Sequence, residues 1–153
     1  MNRQNGFTIV ELMITLVIVG VLAAFAAPAF NNVIRDNRLT TSANEVSLAL
    51  NLARSEAIKR AVQIDVAATG GDWADGITVE INGGDTLRVF PPFTGGMTLS
   101  ETGGLTTVSY LGTGRASAAA AFEICDSERT GETGRTISVS NTGRISIAAT
   151  VCD

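Results

Sequence analysis

Few side chains in this chain are placed to do chemistry. From Phe7 to Ala27 the sequence reads FTIVELMITLVIVGVLAAFAA, and Glu11 is its only ionisable side chain. A carboxylate in hydrocarbon costs on the order of 3 kcal/mol and calls for a positive partner. The segment contains no Lys, Arg or His. The nearest cation would be an α-amine, if the chain began at Phe7, lying one helical turn from Glu11 or supplied by a neighbouring subunit. A glutamate reaching to water at a membrane surface explains the residue, but not the Gly6-Phe7 junction before it. Elsewhere, two cysteines are too few for a zinc or iron–sulfur site unless subunits pool them. The triplet Thr-Gly-Arg occurs three times, ending at Arg115, Arg135 and Arg144.

What is missing narrows the function further. The 153 residues include no histidine, which excludes a His-based triad, a His general base and His-ligated zinc. Asp and Glu are scattered through turns with no spacing that selects a catalytic pair. Fifteen acidic residues stand against 11 basic ones, and the net charge of −4 argues against general affinity for nucleic acid or anionic lipid. Neither enzyme activity nor a cofactor is expected.

The elements that carry these residues follow from patterning. Phe7–Ala27 has about the length that crosses a bilayer core as a helix, roughly 20 residues. The preceding MNRQNG carries one positive charge, Arg3, which favours a cytoplasmic leader and export of the chain beyond the apolar run. A secretory signal cut near Ala27 is the alternative, but Pro28-Ala29-Phe30 and a long helical pattern continue beyond that point. From Asn31 to about Ala61 there is no Gly or Pro. Ala43, Val46, Leu50, Ala53 and Ala57 recur at spacings of three and four, with Leu39, Ile58 and Val62 extending the stripe. Such a stripe reads as core. Glu56 pairs favourably with Arg60 four residues on. Arg54 and Glu56 are too close in sequence to face each other, so each should have a partner elsewhere.

After the helix the period becomes two: Val62/Ile64/Val66, Ile77/Val79/Ile81, Leu87/Val89, Phe122/Ile124, Ile137/Val139 and Ile145/Ile147. Clusters such as Gly70-Gly71-Asp72 and Asn82-Gly83-Gly84-Asp85 separate them. Short strands and tight turns imply an antiparallel sheet with one face buried against the helix stripe. Trp73 is expected to close one end of the core, with its indole N–H hydrogen-bonded. The fold class is therefore α+β, a long N-terminal helix packed on an antiparallel β-sheet domain.

Gly6-Phe7-Thr8-Ile9-Val10-Glu11-Leu12 resembles the class III signal of type IV pilins and type II secretion pseudopilins. Asn51-Leu52-Ala53-Arg54-Ser55-Glu56-Ala57-Ile58 and Trp73-Ala74-Asp75-Gly76-Ile77 resemble elements of the GspH/FimT/FimU family of minor pilins. The resemblance implies cleavage by a prepilin peptidase between Gly6 and Phe7, N-methylation of Phe7, and assembly through Glu11 and the amine of an adjacent subunit. Gly20 and Pro28 match positions where pilin helices carry helix breakers. Residues 1–6 would then be a leader, 7–30 the membrane and filament-core helix, and 31–153 a periplasmic domain with helix 31–61 and β-rich 62–153. In that oxidising compartment Cys125 and Cys152 should be bridged.

By the same resemblance the chain is a minor pilin that primes pilus assembly near the tip. Its partners are other minor and major pilins and an inner-membrane assembly platform. A GspH-like pseudopilin of a type II secretion system is the alternative. Related FimT proteins bind DNA through a Gly-Arg-x-Arg element. Here Gly143-Arg144-Ile145-Ser146 keeps one arginine, and Phe122–Asp153 holds five acidic residues against three arginines. Contact with nucleic acid through Arg135 and Arg144 is disfavoured on that count.

Overall fold

The computed structural model describes residues 7–129, 131 and 133–152. Helix α1 spans Ile9–Arg60 without interruption, through Gly20 and Pro28. It ends where Lys59 and Arg60 place positive charge in the last turn. Ala61 then takes a left-handed conformation at φ 54°, a stop that glycine usually supplies. The chain divides into two compact units within this helix, Met1–Asp36 and Asn37–Asp153. In the first, every side chain from Phe7 to Ala26 is exposed, as an apolar helix with no covering of its own requires.

In the second unit the predicted stripe is core. Leu39, Ala43, Val46, Leu50, Ala53 and Ala57 are all buried, and Ala49 joins them. Ile58 and Val62 do not extend it; they are 53% and 40% exposed. Ile58 follows Ala57 by one residue and so lies about 100° round the helix. Val62 lies beyond the helix end, where the 3.6-residue period no longer applies.

The β-rich part forms two four-stranded antiparallel sheets. One has the order β3-β2-β1-β5 and comprises β1 (Ile64–Ala68), β2 (Ile77–Ile81), β3 (Thr86–Phe90) and β5 (Thr107–Tyr110). The other has the order β4-β6-β7-β8, from β4 (Met97–Glu101), β6 (Ala120–Asp126), β7 (Thr133–Val139) and β8 (Ile145–Val151). Ile64, Val66, Ile77 and Val79 from the first sheet and Phe122, Ile124, Ile137 and Val139 from the second line one core. Trp73 joins the two: its ring meets Phe122 edge-on at 4.8 Å, and its indole N–H donates to the Leu105 carbonyl at 2.7 Å. Leu87 and Val89 do not form a buried pair. The β2–β3 register shifts between Val79 and Glu80, Val89 is 60% exposed, and Phe90 is the buried residue of β3.

Asp65 is buried on β1 between the core residues Ile64 and Val66. Its carboxylate accepts from Gln63 Nε2 at 2.9 Å and Asn82 Nδ2 at 2.8 Å, tying the helix exit to the β2–β3 turn. Burial alone would raise its pKa, but hydrogen bonds from Ser109, Gln63 and Asn82 outweigh burial and hold it below the ordinary 3.8. A native pKa below the unfolded one stabilises the fold above pH 3.8, and that contribution is lost as pH falls through the native value. Asp65→Asn should therefore lower stability at pH 7, with the difference from wild type shrinking below pH 3.8. Thermal unfolding of both proteins across that range measures this directly.

Candidate functional site

Two clusters gather the residues singled out by sequence. The first is the start of α1. The Glu11 backbone N–H donates to Thr8 Oγ1 at 3.2 Å, while the Thr8 N–H and hydroxyl both donate to Glu11 Oε2 at 3.4 Å. This is a reciprocal cap, in which threonine and a glutamate three residues on satisfy donors that the helix leaves open. Sequence reasoning gave Glu11 no partner inside the segment; the Thr-x-x-Glu spacing was the signal that could have supplied one. The positive end of the helix dipole also favours a carboxylate there. Gly6 lies outside the described residues, and Phe7 on the other side of the junction is 78% exposed. At Gly20 a Cβ would meet nothing within 4 Å, so no contact within this chain requires glycine there.

The second cluster lies at the far end of α1. Arg54 Nε donates to the Gly114 carbonyl at 3.0 Å, and Arg54 Nη2 to the Thr142 carbonyl at 3.4 Å. One guanidinium thus ties together the turns of two Thr-Gly-Arg triplets. The expected partner of Arg54 elsewhere in the chain is this pair of carbonyls. Glu56 instead stays on its own helix, held by Arg60 at 2.6 Å and Lys59 at 3.3 Å. Those hydrogen bonds, Arg60 first, keep its carboxyl below the usual 4.5. Near Arg54 the Tyr110 hydroxyl is fully buried without a hydrogen-bond partner among the described residues. Burial pushes its pKa up to about 12 despite the nearby guanidinium.

The three triplets are not equivalent. Gly143 has φ 78°, and a Cβ there would collide with the Gly114 carbonyl, so the two turns touch backbone to backbone. Arg115 and Arg144, next to these glycines, are both exposed. Gly134 sits within β7, where a Cβ would strike the Cys152 Sγ and the Ile124 carbonyl. It makes room for the disulfide that joins Cys125 to Cys152, with their Cα atoms 5.8 Å apart. Arg135 beside it is partly buried and donates to the Gly134 carbonyl at 3.0 Å. Arg135 lies opposite Ala149 in the β7–β8 ladder, five residues along the strand from Arg144 or about 16 Å. The two arginines considered for DNA contact are therefore not brought together. Arg115 is the one that stands with Arg144.

Comparison with known proteins places both clusters in a family context. A family profile described as type II transport protein GspH matches residues 42–143, and a prokaryotic N-terminal methylation motif matches residues 1–27. A fimbrial protein of Pseudomonas aeruginosa is 40% identical over 72 residues, which are 47% of this chain and 46% of that protein. FimA, a type IV major fimbrial protein of Dichelobacter nodosus, is 52% identical over 48 residues, 31% of this chain and 28% of that one. The chain thus spans less than half the length of these curated relatives. Among solved structures, the type IV minor pilin FimU of P. aeruginosa superposes with a TM-score of 0.65 at 27% identity, covering 74% of this chain and 90% of that one.

The Arg54 tie yields a direct test. Arg54→Met keeps the aliphatic stem but removes both donors to the turns, and should cost about 1.5 kcal/mol, the low end for a charged hydrogen bond at a part-exposed site. A fall in unfolding midpoint that Arg54→Lys only partly recovers would match the two-carbonyl geometry.

Proposed function

The chain belongs to the GspH family, and from that premise we propose that it works as a minor type IV pilin. The observation that carries this reading is the likeness to minor pilin FimU over 90% of the chain in its crystal structure, joined to an N-terminal methylation motif. In this reading a prepilin peptidase cuts between Gly6 and Phe7 and methylates the new amine. The apolar helix holds the subunit in the inner membrane with the β-domain in the periplasm, then becomes part of the filament core. Its role is structural, without catalysis. It primes assembly near the pilus tip through contacts with other minor and major pilins and with the inner-membrane platform.

The Thr8–Glu11 cap bears on how Glu11 would act. While the leader is attached, the Thr8 N–H and hydroxyl engage the carboxylate. Cleavage would create a positive amine one residue before Thr8, and Glu11 could then exchange a neutral donor for a charged one, its own or a neighbour's. Gly20 and Pro28 are the positions at which the helix would loosen during assembly.

The second reading, a pseudopilin of a type II secretion system, is favoured by the description of the matching family profile. A DNA-receptor role is disfavoured by the separation of Arg135 from Arg144 and by the net charge of −4.

Two experiments test the proposal. In sheared pilus fractions the protein should co-purify with the major pilin, and its deletion should reduce piliation. Lost protein secretion with normal pili would instead establish the pseudopilin. For the assembly step, Glu11→Ala should leave membrane insertion intact while strongly lowering incorporation into pili. Unchanged incorporation, measured by immunoblot of sheared filaments, would show the carboxylate dispensable.

A further inference from the structure

We propose that Arg115 and Arg144 form a docking point for carboxylates on a neighbouring pilin subunit, orienting that subunit against this chain's β-domain. The proposal deepens the pilin reading and rests on it, adding the chemistry of the partner surface.

Two of the three Thr-Gly-Arg triplets place their arginines on turns that touch. A Cβ at Gly143 would overlap the Gly114 carbonyl, and each arginine is one residue on from one of these glycines. The two Cα atoms therefore lie within about 14 Å of each other. Arg54 adds a third cation between the same turns, bonded to a carbonyl of each. Arg115 and Arg144 are exposed, and neither guanidinium makes a hydrogen bond or ion pair among the described residues. Glu56 is already engaged by Arg60 and Lys59. The backbone of both turns is closed: Leu111 N–H donates to the Arg115 carbonyl at 2.9 Å, and Ser140 N–H to the Arg144 carbonyl at 3.0 Å. Docking would order only the two side chains, which keeps its entropic cost low.

The surroundings suit a carboxylate better than a phosphate. Phosphate sites draw on successive free backbone N–H groups or on a helix N-terminus. Here the N–H groups of Gly114 and Gly143 donate to the Leu111 and Ser140 carbonyls at 2.7 and 2.8 Å, and Arg144 N–H donates to Ser140 Oγ at 3.2 Å. The helix end that meets these turns is the C-terminus of α1, where a Gly114 Cβ would strike Ile58. Its partial charge is negative. The net charge of −4 also opposes the approach of a polyanion. What remains is an arginine fork, which matches one planar carboxylate at a time.

Magnitude selects who brings the carboxylates. An exposed ion pair shifts an equilibrium by no more than about fivefold, so two of them cannot hold a freely diffusing protein. They can orient one that other contacts already hold. A neighbouring subunit, gathered through the apolar N-terminal helix, is such a protein.

Carbodiimide coupling of the full-length chain in membranes and sheared filaments tests this. The reagent joins a lysine amine to a carboxylate as an amide when the two are in ion-pair contact. Lys59 is the chain's only lysine, so Arg115→Lys and Arg144→Lys each add one amine and keep the charge. Each should give an amide from that position to another pilin subunit, at least fivefold above the exposed control Arg88→Lys. Combining Arg115→Glu with Arg144→Glu should lower incorporation into filaments about fivefold at unchanged melting temperature. Coupling no higher than in Arg88→Lys, amides only to proteins other than pilins, or undiminished incorporation of the double variant would each overturn the proposal. So would a lowered melting temperature, which would assign the arginines to the fold, or DNA binding by the solubilised chain that the double variant loses. Failure of the pilin reading is seen separately, as absence of the wild-type chain from sheared filaments.

Discussion

Nothing longer than a methyl group projects from α1 at Ala49, Ala53 and Ala57, and all three residues are fully buried. Whatever covers them approaches the helix backbone itself. The turns that meet the helix are correspondingly small. A Cβ at Gly112 would collide with Ala61, one at Gly114 with the Ile58 side chain, and one at Gly143 with the Gly114 carbonyl. The turns thus lie directly against the last turns of α1, within reach of a side-chain donor on the helix. Arg54, one residue after Ala53, reaches two of them. A larger side chain at any of these positions would overpack the contact, typically costing about 1–3 kcal/mol, comparable to what the arginine tie contributes.

The helix was legible because its signal repeats over many turns. Leu39 through Ala57 keeps one period, and every residue placed on that stripe is buried. Legibility failed where the period ends or a single event resets it. Ile58 is apolar but one step off the stripe, and the register shift in β3 moved the core position to Phe90. Two strands, β4 and β5, were not anticipated, although Met97/Leu99 and Val108/Tyr110 alternate like the pairs in the other strands. The strands form two sheets where one was expected. The Thr-Gly-Arg repeat misled differently: identical triplets serve a turn at Gly114 and Gly143 but a disulfide clearance at Gly134. Local sequence cannot distinguish these roles, because they depend on what lies across the sheet. For Glu11 the signal was present in Thr-x-x-Glu, a neutral partner one helical turn away.

Charge shows the same distinction between composition and placement. The chain is acidic as a whole, with a net charge of −4. Yet Arg54, Lys59, Arg60, Arg115 and Arg144 belong to the last turns of α1 and the two loops fastened to it, with Glu56 as the acid hydrogen-bonded to that helix end. Net charge describes the far field, screened within about 8 Å at physiological salt. At shorter range the local balance governs instead. An acidic average therefore describes the whole surface and not this basic end of α1.

The disulfide and the open edge belong together. Cys152 follows β8 and Cys125 lies in β6, so the bridge passes over β7 at the position where glycine replaces a side chain. One end of β8 is held by the Ser140–Arg144 turn, with its own hydrogen bonds, and the other by a covalent link to a strand two places away. An uncharged edge strand left free at one end would fray. Fastened at both ends, β8 has already incurred most of its ordering entropy on folding, about 1–2 kcal/mol for each backbone residue fixed. The same fastening restrains the register slips that make uncharged edges aggregation-prone.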